Sequence, residues 1–344
     1  MIDRPPPLIQ DDDGASTAYL IERASVAIGR LDAQVSASSM KAAWQLRAAW
    51  TGFAAGLQLS GVEIDEIDVF SWGSGIALPH RPRRQTLLDP FEAFEPWRAR
   101  MSAKGRHWVE ELLFSVRSEP ARPRVPLLIR ALELQMDYVR ADRSIDAWLV
   151  LPILLHRLGL CETPLPCLVA GDRQLRFAPR DTGPAQRRIL RALEAAAVNA
   201  RKTVIALENH RAIALAALAA EHRPTALRAL AALLARAPMQ SPESVARQLG
   251  MTLSGAGKLL ARAAASGLVC EVSGRRAWRA YVVPDLAISL GLVAASKGRP
   301  PTRPSLSEPS REIASILADF DSDMAAFDAR FGATIMSEES GRDG

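Results

Sequence analysis

Residues 249–259 read LGMTLSGAGKL. Gly255-Ala256-Gly257-Lys258 ends as a phosphate-binding loop ends, which points to a nucleotide-dependent enzyme. The whole stretch also has the layout of the turn and second helix of a helix-turn-helix. The first reading fails on three counts. A Walker loop needs Gly, four residues, then Gly-Lys-Ser/Thr, so that glycine amides close around phosphates and the hydroxyl binds magnesium. The first glycine falls on Thr252, the hydroxyl position is Leu259, and the preceding SPESVARQLG (241–250) is patterned as a helix rather than an apolar strand.

The second reading gains support on both sides of the stretch. Leu227, Leu230, Leu233 and Leu234 fall on one face of a helix over Thr225 to Ala237. Ser241-Pro242 starts the next helix: Ser caps it, Pro suits its first turn, and Glu243 is favourable near the positive end. Val245, Ala246 and Leu249 face inward, Gly250 takes the left-handed turn that ends the helix, and Met251 fills the corner. Thr252 then caps a helix that runs to about Ser266 and stops at Gly267. Ala256, Leu259, Leu260 and Ala263 form its buried face, leaving Ser254, Gly255, Gly257, Lys258, Ala261 and Arg262 outside. Small residues let a helix backbone come close to a major groove. Amides, Lys258 and Arg262 then reach phosphates, and Ser254 reaches base edges. Two helical glycines cost on the order of 1 kcal/mol each against Ala, and close approach is one return for that cost.

The segment that follows reads as a β-hairpin, LVCEV (268–272) and AWRAYVV (277–283), with Ser273-Gly274 in its turn. Arg275 and Arg276 stand at the tip and Arg279 on the second strand. Such a tip grips backbone phosphate or the minor groove in winged helices. Trp278 packs or stacks. Winged helices also serve as protein-protein modules, so an adaptor without DNA binding stays open as a second reading.

Bulk properties agree with a helical, anion-binding chain. Of 344 residues, 48% are hydrophobic, 24% charged and only 6% aromatic. Ala, Leu and Arg dominate, which favours helix over strand. The net charge of +5 is unevenly spread. Between Arg223 and Val283 nine basic residues face only Glu243 and Glu271, a net of +7, so the remainder carries −2. A compact basic segment on a near-neutral body suggests a polyanion partner. No apolar run approaches the roughly 20 residues of a membrane span, and MIDRPPPLIQDDDG lacks the layout of a signal peptide. Three cysteines, Cys161, Cys167 and Cys270, make no disulfide framework. The expectation is a cytoplasmic protein.

The expected organisation is a disordered N-terminus (1–14), a helical domain (15–222), a winged helix-turn-helix (223–292), a Pro/Ser-rich linker (295–310 at its core, 293–310 overall), an amphipathic C-terminal helix (311–333) and a disordered tail (334–344). Within the helical domain, helices are expected over 15–35, 41–59, 89–116, 125–140, 145–158 and 184–221. ETPLPCLVAGDRQLRFAPRDTG (162–183) is an irregular connection.

The span SPESVARQLGMTLSGAGKLLARAAASGLVCEVSGRRAWRAYV resembles the C-terminal winged helix of Fic-family proteins, with its small-residue helix and E-x-x-G-R wing. Residues 15–292 as a whole resemble an uncharacterised bacterial family, often plasmid-borne, that joins a helical domain of unknown function to such a helix-turn-helix. RASVAIGRLDAQV, AWQLRAAWTGFAAGLQLSGVEIDEIDVFSWGSGIALP and LVLPILLHRLGLCETPLPCLVAGD carry that likeness. The last phrase is also similar to the helix after a Fic catalytic loop. The resemblance implies a degenerate Fic-like helical bundle. Fic chemistry, nucleotidyl transfer from ATP, uses a His followed by a Gly-Asn-Gly-Arg loop. Here Asn199 and Asn209 lack flanking glycines, none of the five histidines precedes such a loop, and the matching place reads RADRSIDAW. No catalytic residue carries over, so the chain is expected not to be an enzyme.

Other clusters read more simply as structure. His156, Cys161 and Cys167 are close in sequence but match no zinc spacing and sit in apolar surroundings. Glu63, Asp65, Glu66 and Asp68 alternate with Val62, Ile64, Ile67 and Val69, as an amphipathic element would. HRPRR (80–84) reads equally as a nucleic-acid contact or a solvated loop. His107 and His210 fall on helices as structural residues. The expected site is therefore Thr252, Ser254, Gly255, Lys258, Arg262, Arg275, Arg276 and Arg279. The expected partner is double-stranded DNA, and the chain is expected to form a homodimer with no cofactor, metal or membrane contact.

Overall fold

A computed structural model describes residues 16–78, 89–102, 125–177, 182–274 and 279–294, together with 318, 319 and 322. The helices are α1 (Thr17–Ala37), α2 (Lys41–Ser60), α3 (Glu66–Gly73), α4 (Phe94–Ser102), α5 (Leu127–Ala141), α6 (Asp146–Leu149), α7 (Leu151–Arg157), α8 (Gly183–Ala219), α9 (Thr225–Arg236), α10 (Pro242–Leu249), α11 (Leu253–Ala265) and α12 (Pro284–Ser289). The strands β1 (Met239–Gln240), β2 (Cys270–Glu271) and β3 (Tyr281–Val282) form one small antiparallel sheet of order β1-β3-β2. The protein is mainly helical. Among the described residues no helix is long and apolar enough to cross a membrane.

The chain forms two compact units, the first of residues 1–69 and 85–204 and the second of residues 70–84 and 205–344, so that the division falls within α3 and within α8. The sequence alone placed the division near 222–224. In the first unit α1 starts at Ser16, whose hydroxyl accepts the Tyr19 N–H at 3.3 Å. It buries Leu20, Ala24, Ala27, Ile28, Leu31 and Val35, the spacing of one helical face. On α2, Trp44, Trp50, Phe53 and Leu57 are buried. The same helix carries two glycines for close approach: a Cβ on Gly52 would collide with the Pro166 carbonyl oxygen, and one on Gly56 would lie 2.6 Å from Leu149 Cδ2. Indole N–H groups tie the unit together, Trp44 to the Ala200 carbonyl at 3.1 Å and Trp97 to the Leu149 carbonyl at 2.8 Å.

The irregular stretch 161–170 is mostly buried, with Leu165, Cys167 and Leu168 in the core and Glu162 exposed. Buried backbone must find partners, and two polar side chains supply them. The Asp32 carboxylate accepts the N–H groups of Glu162 (2.8 Å) and Thr163 (3.1 Å), and Gln135 Nε2 donates to the Ala170 carbonyl at 2.8 Å.

In the second unit α9 buries Leu227, Leu230, Leu233 and Leu234, and α9, α10 and α11 pack on one another. His210 of α8 is buried and donates from Nε2 to the Leu268 carbonyl at 2.9 Å, fastening α8 to the turn that leaves α11.

The hairpin pairs β2 with β3 in antiparallel fashion. Its register pairs Cys270 with Val282 and Glu271 with Tyr281, extended by a bond from Val272 N–H to the Ala280 carbonyl at 2.9 Å. Residues 275–278 of the expected hairpin, the start of its second strand included, lie outside the described residues. β1, which pairs with β3, is two residues long and left no alternation to read.

HRPRR (80–84), His107, Arg275, Arg276 and Trp278 lie outside the described residues, as do 1–15 and 323–344. So does the linker beyond Ala294, and so does 311–333 except Ala318, Asp319 and Ser322, which are helical.

Candidate nucleic-acid interface

The site is built from the corner between α10 and α11. Ser241 Oγ accepts the Ser244 N–H at 3.1 Å, which starts α10. A short polar chain anchors that start to β1: Gln240 Nε2 donates to the Ala237 carbonyl (2.9 Å), Ser244 Oγ to Gln240 Oε1 (2.9 Å), and Gln248 Nε2 to Ser244 Oγ (2.8 Å). Gln240 and Ser244 are buried, so their polar atoms must be satisfied there. α10 ends at Gly250 with φ of 64°, where the chain turns left-handed and the Met251 N–H returns to the Ala246 carbonyl at 3.0 Å.

Thr252 caps α11, its Oγ1 accepting the Gly255 N–H at 3.1 Å. That bond has a consequence for Gly255: a Cβ there would sit 3.1 Å from the same oxygen. That contact is tight, whereas a Cβ on Gly257 would meet nothing within 4 Å. α11 turns Ala256, Leu259, Leu260 and Ala263 into the core. Facing out are Thr252, Leu253, Ser254, Lys258, Ala261 and Arg262, with Gly255 and Gly257 half-buried.

The charges of this face differ in their surroundings. Lys258 is exposed, and among the described residues no carboxylate pairs with it. Arg262 Nε lies 3.4 Å from Glu221 Oε1, a residue between α8 and α9. Arg279, exposed beside β3, has Nε 4.0 Å from Glu271 Oε2; the Tyr281 hydroxyl next to it, then Glu271, raise its guanidinium further above the ordinary range. Five expected site residues, Thr252, Ser254, Gly255, Lys258 and Arg262, thus share α11, and Arg279 lies beside the sheet. Arg275 and Arg276 fall in the β2–β3 connection, beyond what the structure describes.

Sequence reasoning missed two members. Glu221 sits outside every motif and reaches the site through the chain's return from α8. Leu253 stands just after the cap residue, where no periodic signal distinguishes core from surface, and its side chain is 61% exposed.

The alternative clusters resolve as packing. His156 Nδ1 donates to the Cys161 carbonyl at 3.1 Å. Burial pushes the Cys161 and Cys167 thiols up to about 12. No group of metal-ligating side chains occurs among the described residues. Asp65 and Asp68 form a reciprocal cap at the start of α3, the Asp68 N–H to Asp65 Oδ1 at 3.0 Å and the Asp65 N–H to Asp68 Oδ2 at 3.3 Å. Glu66 accepts the Thr51 hydroxyl at 2.7 Å. The chain matches no protein-family model, and no curated protein matches it.

Proposed function

We propose that the chain is a DNA-binding protein, a transcriptional regulator in which 223–292 is a winged helix-turn-helix and the helical body dimerises or receives a signal. One observation carries this reading: the capped corner Gly250–Thr252 presents α11 with one face buried and the other, Leu253 apart, small and basic. Bare helix backbone at Gly257, the hydroxyl of Ser254 and the cations Lys258 and Arg262 are the groups that major-groove docking uses. The net +7 of the surrounding segment supplies sequence-independent attraction to phosphate. The β2–β3 connection, with Arg275, Arg276 and Arg279, would be the wing. The likeness to Fic proteins belongs to the same proposal: a bundle of that descent without the histidine and Gly-Asn-Gly-Arg loop transfers no nucleotide and calls for no cofactor.

The exposed Leu253 favours a second reading, an adaptor that uses the same surface to hold a protein. A gel shift of the full chain with nonspecific duplex DNA, compared with Lys258→Ala, separates the two. The regulator shifts the duplex and the substitution weakens the shift; an adaptor produces none.

A further inference from the structure

We propose that Leu253 reads the C5-methyl group of a thymine in the major groove, an inference that rests on the DNA-binding reading above. Leu253 is the first residue of α11. The bond from the Gly255 N–H to Thr252 Oγ1 fixes the turn on which it sits, so its backbone position is set before any ligand arrives. Its side chain takes no part in the buried face of α11 and is 61% exposed. One turn on, where a helical neighbour would cover it, stands Gly257, which has no side chain to offer. Leu253 is the only large apolar residue on the outward side of α11; its companions there are Ser254, Gly257, Lys258, Ala261 and Arg262.

The occupant follows from the charge around it. An apolar protein groove would have to desolvate Lys258 and Arg262 and meet a segment of net +7, which is costly without paired anions. Duplex DNA supplies phosphates for those cations and, on the floor of the major groove, one apolar group, the thymine methyl. Residues at the N-terminal end of a recognition helix are those that reach base edges. With Ser254 beside it, Leu253 makes the first turn of α11 a reader of thymine next to a hydrogen-bonding base edge.

The test uses the full chain and a random-sequence duplex pool. Enriched duplexes are resynthesised with deoxyuridine replacing single thymines, which removes only the methyl. The expected result is one position per half-site where the replacement weakens binding about fourfold, the worth of one buried methyl. Leu253→Ala should bind both duplexes equally, while Leu253→Met keeps the discrimination. An unchanged melting temperature for both variants shows that the fold is intact. If no thymine is sensitive, or if Leu253→Ala still discriminates, the assignment is overturned while DNA binding stands. If the wild-type chain retains duplex but enriches no sequence, the assignment alone falls; if it retains no duplex at all, the DNA-binding reading falls and takes the assignment with it.

Discussion

Arg262 of α11 and Glu221, the second residue after α8, meet with Arg262 Nε 3.4 Å from Glu221 Oε1. The pair is half-exposed, so its coupling belongs to the range of about 0.2–1 kcal/mol measured for surface pairs. Its effect on a polyanion is larger in kind than in size, because Glu221 places a negative charge beside the face proposed to meet phosphate. Glu221→Gln should therefore tighten binding to duplex DNA by up to about fivefold, while Arg262→Ala weakens it. Fluorescence anisotropy at fixed salt reads both. A Glu221→Gln variant that binds more weakly would mean that the carboxylate orients Arg262 rather than restraining it.

Gly257 offers a substitution in which stability and binding part company. Its Cβ would meet nothing within 4 Å, so Gly257→Ala should stabilise α11 by up to about 1 kcal/mol and raise the melting temperature. If the helix backbone lies against DNA, the added methyl group should weaken duplex binding in the same protein. Gly255→Ala should stabilise less, because its Cβ would sit 3.1 Å from Thr252 Oγ1. Thr252→Ala should cost about 1 kcal/mol through the lost cap.

The double substitution Arg275→Ala with Arg276→Ala tests the proposed wing. Each phosphate contact contributes about −0.9 to the slope of log affinity against log salt. The double variant should bind more weakly and flatten that slope by about 1.8. An unchanged affinity at moderate salt would remove the wing from the interface.

The buried thiols give a pH dependence of known sign. An unfolded cysteine titrates near 8.5 or so, whereas burial raises folded Cys161 and Cys167 to about 12. Above the unfolded value the unfolded chain has released protons that the folded chain still holds, so stability falls as pH rises. The contribution is complete below about pH 8.5 and is lost on the way to the folded value. The urea midpoint should decline through this window, and Cys161→Ala with Cys167→Ala should flatten the decline. Native protein at pH 8 should react slowly with a thiol reagent at both positions and fast once unfolded.

The corner of α10 and α11 was legible because each of its joints is a local signal: Ser241 and Thr252 as caps, Gly250 as a left-handed stop, and Leu259 and Leu260 on the inner face. Those signals need only neighbours in the chain. The strand β1 and the polar partners of 161–170 were not legible, because each depends on residues far away: Val282 for Met239, and Asp32 and Gln135 for the irregular stretch. Gly52 shows the same limit. It reads as a weak point in a helix, yet it marks where α2 meets the Pro166 carbonyl, so Gly52→Ala should destabilise by about 1–3 kcal/mol or more through overpacking. Glu221 joined the candidate site by the same long-range route, and no spacing announced it.

The most direct measurement is the affinity of the full chain for a duplex of about 30 base pairs between about 50 and 200 mM salt. Lys258, Arg262, Arg275, Arg276 and Arg279 together predict a log–log slope of about −4 to −5, reduced by close to one in Lys258→Ala. No binding at the low-salt end, or binding with a slope near zero, would contradict the account.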